Sequence, residues 1–160
     1  MSAGDEGGAP PVTVSPEVFL AMGREVLAKQ PFSVLLGAEL AALSPGRCEL
    51  QLTITPVLQQ HQGFVHGGVL SYLADNALTF AGGSALRAPV ITAEFKINYL
   101  RPAVAGRLIA RALAIHTGRS QAVCRCDVFV LVDGQEKLCA VAQGSIARLP
   151  EAKVAPATAP

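Results

Sequence analysis

The spacing of apolar positions changes several times along the chain, and each spacing predicts an element. Ser15-Pro16-Glu17 opens a helix, with serine as N-cap and proline at the first helical position. Phe19, Met22 and Val26 follow at helical spacing, and the helix ends before Pro31. Arg47 to Thr55 alternates instead. Cys48, Leu50, Leu52 and Ile54 face one way and Arg47, Glu49, Gln51 and Thr53 the other, as in a half-buried strand. Over residues 67–85, Val69, Leu70, Tyr72, Leu73, Ala74, Ala77, Leu78, Phe80 and Ala81 cover most of a helical circumference. A helix apolar nearly all round is a buried helix. Its polar residues Ser71, Asp75 and Thr79 recur every four positions, so they form one narrow stripe, with Asn76 beside it.

Four strand-like segments follow, at about 90–100, 106–117, 120–132 and 136–148. In the first, Ile91, Ala93, Phe95, Ile97 and Tyr99 alternate onto one face. Thr117-Gly118-Arg119 and Asp133-Gly134 mark tight turns, so the segments read as an antiparallel meander. The order is helix, strand, long buried helix, four strands. That predicts an α+β fold with helices on one face of an antiparallel sheet. Such a sheet leaves an edge strand and an open helix flank, which pairing with a second copy covers, so a homo-oligomer is expected.

Composition adds boundaries and exclusions. Residues 1–12 are Gly/Pro-rich and 150–160 Ala/Pro-rich, and both read as disordered tails around a single domain at 13–149. The net charge of +1 gives no clustered basic face for nucleic acid. No apolar run approaches the roughly 18 residues of a membrane span, and the N-terminus lacks the pattern of a secretory signal. A cytoplasmic protein is expected, with no membrane partner. Cys48, Cys124, Cys126 and Cys139 lack the C-x-x-C spacing of zinc or redox sites and read as buried free thiols.

The candidate chemistry gathers at the start of the buried helix, in Gln60-His61-Gln62-Gly63-Phe64-Val65-His66-Gly67-Gly68. Helix N-termini present free N–H groups and partial positive charge, and glycine lets a ligand come close. Gly67 and Gly68 therefore either hold a developing oxyanion or merely shape a turn. Asp75 is costly in an apolar helix unless paired. No Lys or Arg lies between Gln60 and Leu86 to pair with it locally, which favours attack on an acyl carbon or activation of water. His66 reads as a structural hydrogen-bonder. His61 and His116 complete no local zinc motif with it, so no metal is expected. No G-x-S-x-G elbow is present, which speaks against serine hydrolase chemistry.

The stretch HQGFVHGGVLSYLADNALTFA resembles the signature of hotdog-fold thioesterases of the phenylacetate-pathway and 4-hydroxybenzoyl-CoA thioesterase superfamily. The following TAEFKINYLRPA, residues 92–103, is similar to the strand after the helix in that family, and the likeness covers about residues 30–148. The resemblance implies an antiparallel sheet wrapped around one long buried helix. It implies hydrolysis of an aryl or medium-chain acyl-CoA to free acid and coenzyme A, by a homodimer or homotetramer. Coenzyme A enters only as part of the substrate. By the same resemblance, Gly67 polarises the thioester carbonyl and Asp75 is the nucleophile or base. Gln60 orients the thioester or water, Thr79 stands one helical turn after the acid, and His66 supports the turn. Coenzyme A crosses the subunit boundary, with Arg101, Arg119, Ser120 and Arg148 at places where such proteins meet its phosphates. Asp at position 75 favours the phenylacetate-pathway branch over the branch with Glu. Two alternatives on the same fold are a hydratase acting on acyl-CoA or acyl carrier protein, and a non-catalytic acyl-CoA-binding protein.

Overall fold

The computed structural model describes residues 14–150. The expected tails fall outside these residues, apart from Pro150. Helix α1 (Pro16–Ala28) begins as predicted, with Ser15 as N-cap. A second helix not foreseen, α2 (Pro31–Leu36), starts at the proline expected only to end the first. Strand β1 (Ala38–Ser44), also unforeseen, turns back through Pro45-Gly46 into β2 (Arg47–Thr53). After a short 3₁₀ turn at Pro56–Leu58 comes the long helix α3 (Gly67–Leu86). Strands β3 (Val90–Tyr99), β4 (Arg107–Thr117), β5 (Gln121–Val132) and β6 (Gln135–Arg148) complete the fold within a residue or two of the predicted bounds.

The sheet is antiparallel, in the order β1-β2-β4-β5-β6-β3. Only β4, β5 and β6 form the expected meander. Their last turn is Asp133-Gly134, with φ of 49° and 74°, the left-handed pair that matches hairpin twist. The expected pairing of β3 with β4 is corrected: β3 pairs with β6 at the far edge, and β2 takes the place beside β4. Alternation records which face a residue occupies and carries no information about which strand lies alongside.

One face of the sheet wraps α3, which touches all six strands. This is the hotdog arrangement. Leu73, Ala74, Ala77, Leu78 and Ala81 are fully buried against Leu50, Leu52, Leu108, Val128 and Ile146. Small sheet residues lie among these in the same core: Ala110, Ala112, Cys124, Cys126, Ala140 and Ala142. Gly82 lets the helix pack directly on Ile146, since a Cβ there would stand 2.6 Å from that side chain. Burial pushes the thiols of Cys124 and Cys139 up to about 11 and that of Cys126 up to about 12, and raises Cys48 further still. All four are free and packed as small apolar groups. On the opposite face Arg111 donates to Glu49 and, through both terminal nitrogens, to Glu136, each at 2.7 Å. No helix is long and apolar enough to cross a membrane among the described residues.

The expected alternation of β3 is also corrected. Ala93 is an extra residue, bulged between the pairs Thr92–Ile146 and Glu94–Ser145. Beyond the bulge Phe95 and Ile97 face the core as predicted, but before it Ile91 turns outward, 55% exposed, and Thr92 turns toward α3.

Candidate active site

The turn into α3 is held by its own side chains. His66 is the N-cap, and its Nδ1 accepts from Gly68 N–H at 2.9 Å, the structural role the sequence indicated. Its carbonyl accepts from Val69 N–H. Gly67 N–H, the first of the helix, donates to no acceptor among the described residues. It lies at the positive end of a 20-residue helix. Tyr99, near the end of β3, donates to the Gly67 carbonyl at 3.1 Å. Its hydroxyl also meets Ser71 Oγ at 2.5 Å.

Asp75 was expected to be buried, but in the single chain it is only half-buried. The Ser71-Asp75-Thr79 stripe lies toward the edge strand β3, and that flank of α3 is open. Among the described residues no Lys or Arg pairs with the carboxylate. Its partner is Thr92, whose hydroxyl donates to Oδ1 at 2.7 Å. Thr79 donates to the Asp75 carbonyl at 2.9 Å and meets Thr92 Oγ1 at 2.9 Å. Thr92 commits its proton to the carboxylate, so the contact between the two hydroxyls shares the one proton that Thr79 gives to the Asp75 carbonyl. Oδ2 accepts from nothing among the described residues, so one carboxylate oxygen is fixed and the other is open.

Thr92 is the partner of Asp75 that sequence reasoning missed. It reaches Asp75 only because the bulge inverts the first turn of β3, and an unbroken alternation gives no sign of that.

The remaining candidates lie apart from this pair. Gln60 Oε1 accepts from Gln62 N–H at 2.6 Å, which closes its own turn and leaves Nε2 unengaged. Arg101 follows β3 and donates to the Leu138 carbonyl at 2.9 Å. Arg148 donates to the Leu86 carbonyl at 2.8 Å, capping the negative end of α3, and its N–H donates to Ser120 O. Ser120 and Arg119 are exposed. The four phosphate candidates therefore divide between the two ends of α3. Among the described residues no three His, Cys, Asp or Glu side chains gather as metal ligands would.

A groove of about 510 Å³ runs between α1 and α3, lined by Phe19, Met22, Val26, Phe80 and Val90 among others. Met22 and Val26 are exposed to this groove rather than packed in the core, and Thr79 borders it. The site thus combines a free helix N-terminus, a half-open carboxylate and an apolar trough beside it.

Residues 62–137 match the model of the thioesterase superfamily. The chain is 31% identical over 114 residues to a 1,4-dihydroxy-2-naphthoyl-CoA hydrolase of Listeria monocytogenes, covering 70% of this chain and 90% of that one. It is 34% identical over 116 residues to the acyl-coenzyme A thioesterase PaaI of Escherichia coli, covering 71% and 79%. Among solved structures, a thioesterase family protein from Silicibacter pomeroyi superposes with a TM-score of 0.73 at 35% identity, covering 78% and 93%. The PaaI protein of Escherichia coli superposes with a TM-score of 0.74 at 25% identity, covering 80% and 91%.

Proposed function

The chain belongs to the thioesterase superfamily and hydrolyses acyl-CoA thioesters to the free acid and coenzyme A; on that premise we propose that each site unites the Gly67 N–H of one chain with the Asp75 carboxylate of another. The observation that carries this reading is the state of Asp75, with Oδ1 held by Thr92 and Oδ2 open on the uncovered flank of α3.

The thioester oxygen accepts from Gly67 N–H, where the helix end stabilises the charge that develops on it. Asp75 Oδ2 removes a proton from water as the water oxygen attacks the carbonyl carbon. The tetrahedral intermediate collapses, the C–S bond breaks, and the proton passes to the leaving sulfur. In the other route Oδ2 attacks the carbon itself, the C–S bond breaks and coenzyme A leaves as the thiolate, and water then opens the mixed anhydride at the Asp75 carboxyl carbon, its proton passing to the thiolate. Both use the same atom, and single turnover in heavy-oxygen water separates them, because only the anhydride route carries label into Asp75. His66 holds the turn, and Gln60 Nε2 is left to orient the thioester or the water.

Thr92→Val tests the carboxylate's support. It keeps the side chain's shape and removes a hydrogen bond to a charged group, of the kind worth about 1.5–3 kcal/mol. We expect kcat to fall about tenfold or more with KM nearly unchanged, as for an interaction made mainly in the transition state. Unchanged kcat would remove Thr92 from the mechanism.

The basic groups suit a coenzyme that crosses between chains. Leu86, which Arg148 caps, lies eleven residues past Asp75, about 16 Å along the axis. That separation matches an extended pantetheine arm between thioester and phosphates. Arg119 and Ser120 stand with Arg148, and Arg101 serves from the Gly67 end.

The acyl group lies in the groove between α1 and α3. Its volume falls within the roughly 300–1,000 Å³ of small-molecule sites, and Thr79 joins it to Asp75. An aryl or medium-length acyl group fits such a trough. Thiol release measured over acyl-CoAs of increasing size is the test. We expect kcat/KM to climb to an optimum at aryl or medium-chain groups and then fall. A profile flat from acetyl-CoA to long chains would show that the groove does not hold the acyl group.

A further inference from the structure

We infer that Gln30 determines acyl specificity: its side-chain N–H groups read an acceptor oxygen carried by the acyl group. The inference rests on the reading of the α1–α3 groove as the acyl site.

Gln30 occupies the elbow between α1 and α2, and its backbone is fixed on both sides. Its N–H donates to Leu27 O at 3.0 Å, and its carbonyl accepts from Val34 N–H at 3.1 Å. The side chain is fixed as well. Oε1 accepts from the Ser33 hydroxyl at 2.6 Å and from Asn76 Nδ2 at 3.1 Å. Ser33 is 1% exposed and Asn76 9%. Tyr72 closes this network by donating to Ser33 Oγ at 2.6 Å. Two buried donors thus converge on one atom of the amide, which sets its orientation and turns Nε2 away from the network.

Nε2 donates to nothing among the described residues. No side-chain nitrogen or oxygen is both buried and unpartnered there, so Nε2 is open to what enters from outside. Gln30 lines the groove. The other polar side chains that line it have their protons engaged. The single hydroxyl proton of Thr79 goes to Asp75 O and is shared with Thr92 Oγ1, and that of Ser84 goes to Ala81 O and is shared with Ser44 O. Among the described residues, Gln30 Nε2 is therefore the one uncommitted side-chain donor lining an otherwise apolar trough, held by a buried network.

Such a donor separates substrates by more than affinity for hydrocarbon. A purely hydrocarbon acyl group strips water from the N–H groups and returns nothing. A group with an ether, keto or hydroxyl oxygen at the right position satisfies them. Sites built to hydrogen-bond a substrate discriminate strongly against the analogue that lacks the partner, because the site's own group is then left unpaired.

The test uses oxygen-for-methylene pairs with the full-length protein. One set is methoxybenzoyl-CoA against ethylbenzoyl-CoA, substituted ortho, meta and para. The other is octanoyl-CoA against analogues with an ether oxygen stepped along the chain. The wild type should favour at least one oxygen-bearing member over its hydrocarbon match by about tenfold or more in kcat/KM. Gln30→Glu keeps an oxygen for Ser33 and Asn76 to donate to but replaces the amide donor by an acceptor. It should erase that preference, and Gln30→Met should erase it too. A wild type that favours no oxygen-bearing member overturns the proposal, as does a Gln30→Glu variant that folds and keeps the wild-type ratio. Val26→Trp, which fills the groove from α1, separates this failure from that of the underlying reading. If it leaves KM unchanged for both members of every pair, the groove is not the acyl site. If it raises both while Gln30→Glu leaves the ratio alone, only the role of Gln30 falls.

Discussion

We expect Asp75→Asn to lower kcat by about a thousandfold and to leave the fold intact. Asparagine keeps the volume and still offers an oxygen to the Thr92 hydroxyl, so the contact at 2.7 Å has a substitute. What it loses is the charge on the outer oxygen, which neither attacks a carbonyl nor removes a proton as an amide. General-base and nucleophilic groups typically contribute about 10²–10⁴-fold, which sets the expected size. The check is steady-state thiol release together with the thermal midpoint and acyl-CoA binding. Loss of turnover with unchanged midpoint and retained binding places the defect in the chemical step. A variant that keeps most of the wild-type kcat would make Asp75 a structural residue and remove the proposed mechanism.

Mixing Asp75→Ala chains with Gln60→Ala chains is expected to restore activity that neither has alone. Gly67 and Asp75 lie eight residues apart on α3, about 12 Å along the axis. A reacting carbon whose oxygen touches Gly67 N–H must have its attacking atom within roughly 3–3.5 Å. The Asp75 side chain of the same helix is too short to close that gap. On a second helix lying antiparallel beside the first, it stands opposite Gly67. The open flank carrying Ser71, Asp75 and Thr79 is where such a helix fits, next to the unpaired edge of β3. Gln60 belongs to the turn that leads into Gly67, so the two substitutions damage opposite halves of one composite site. In the proposed dimer, chains refolded together would give heterodimers with one site whole and the other doubly defective. Activity well above the sum of the separate mutants is the expected result. No recovery in proven heterodimers would place both residues in a site made by one chain.

Legibility in the sequence followed the range of the signal. The apolar circumference and polar stripe of α3 are local and periodic over 20 residues, so the helix and Asp75 could be read directly. His66 as a structural hydrogen-bonder followed from its position beside two glycines, and its capping geometry came from the structure. Strand β1 was hidden because Ala38-Glu39-Leu40-Ala41-Ala42-Leu43 has the composition of a helix. It is extended because β2 pairs along it, a tertiary effect that overrides propensity. The edge position of β3 was hidden for a related reason, since neighbours in a sheet are chosen by the whole fold. Thr92 was obscured by one inserted residue within a pattern that looks continuous. Gln30 carried no signal, because its importance comes from Ser33 and Asn76, which meet it only in three dimensions.

The bulge at Ala93 also bears on solubility. A straight, unpaired strand of ten residues is a template for any extended chain, and repeated pairing along such edges leads to fibres and precipitates. The bulge breaks the edge into two short runs of different phase. A passing strand of regular geometry can match one run but not both. An identical strand lying antiparallel carries the same break, so its straight portion can meet the straight portion here while the two kinked ends diverge. Glu94 and Lys96 put opposite charges on the exposed side of that straight run, which disfavours most other sequences. The irregularity that turns a threonine toward the carboxylate thus also limits how far pairing along the edge can propagate.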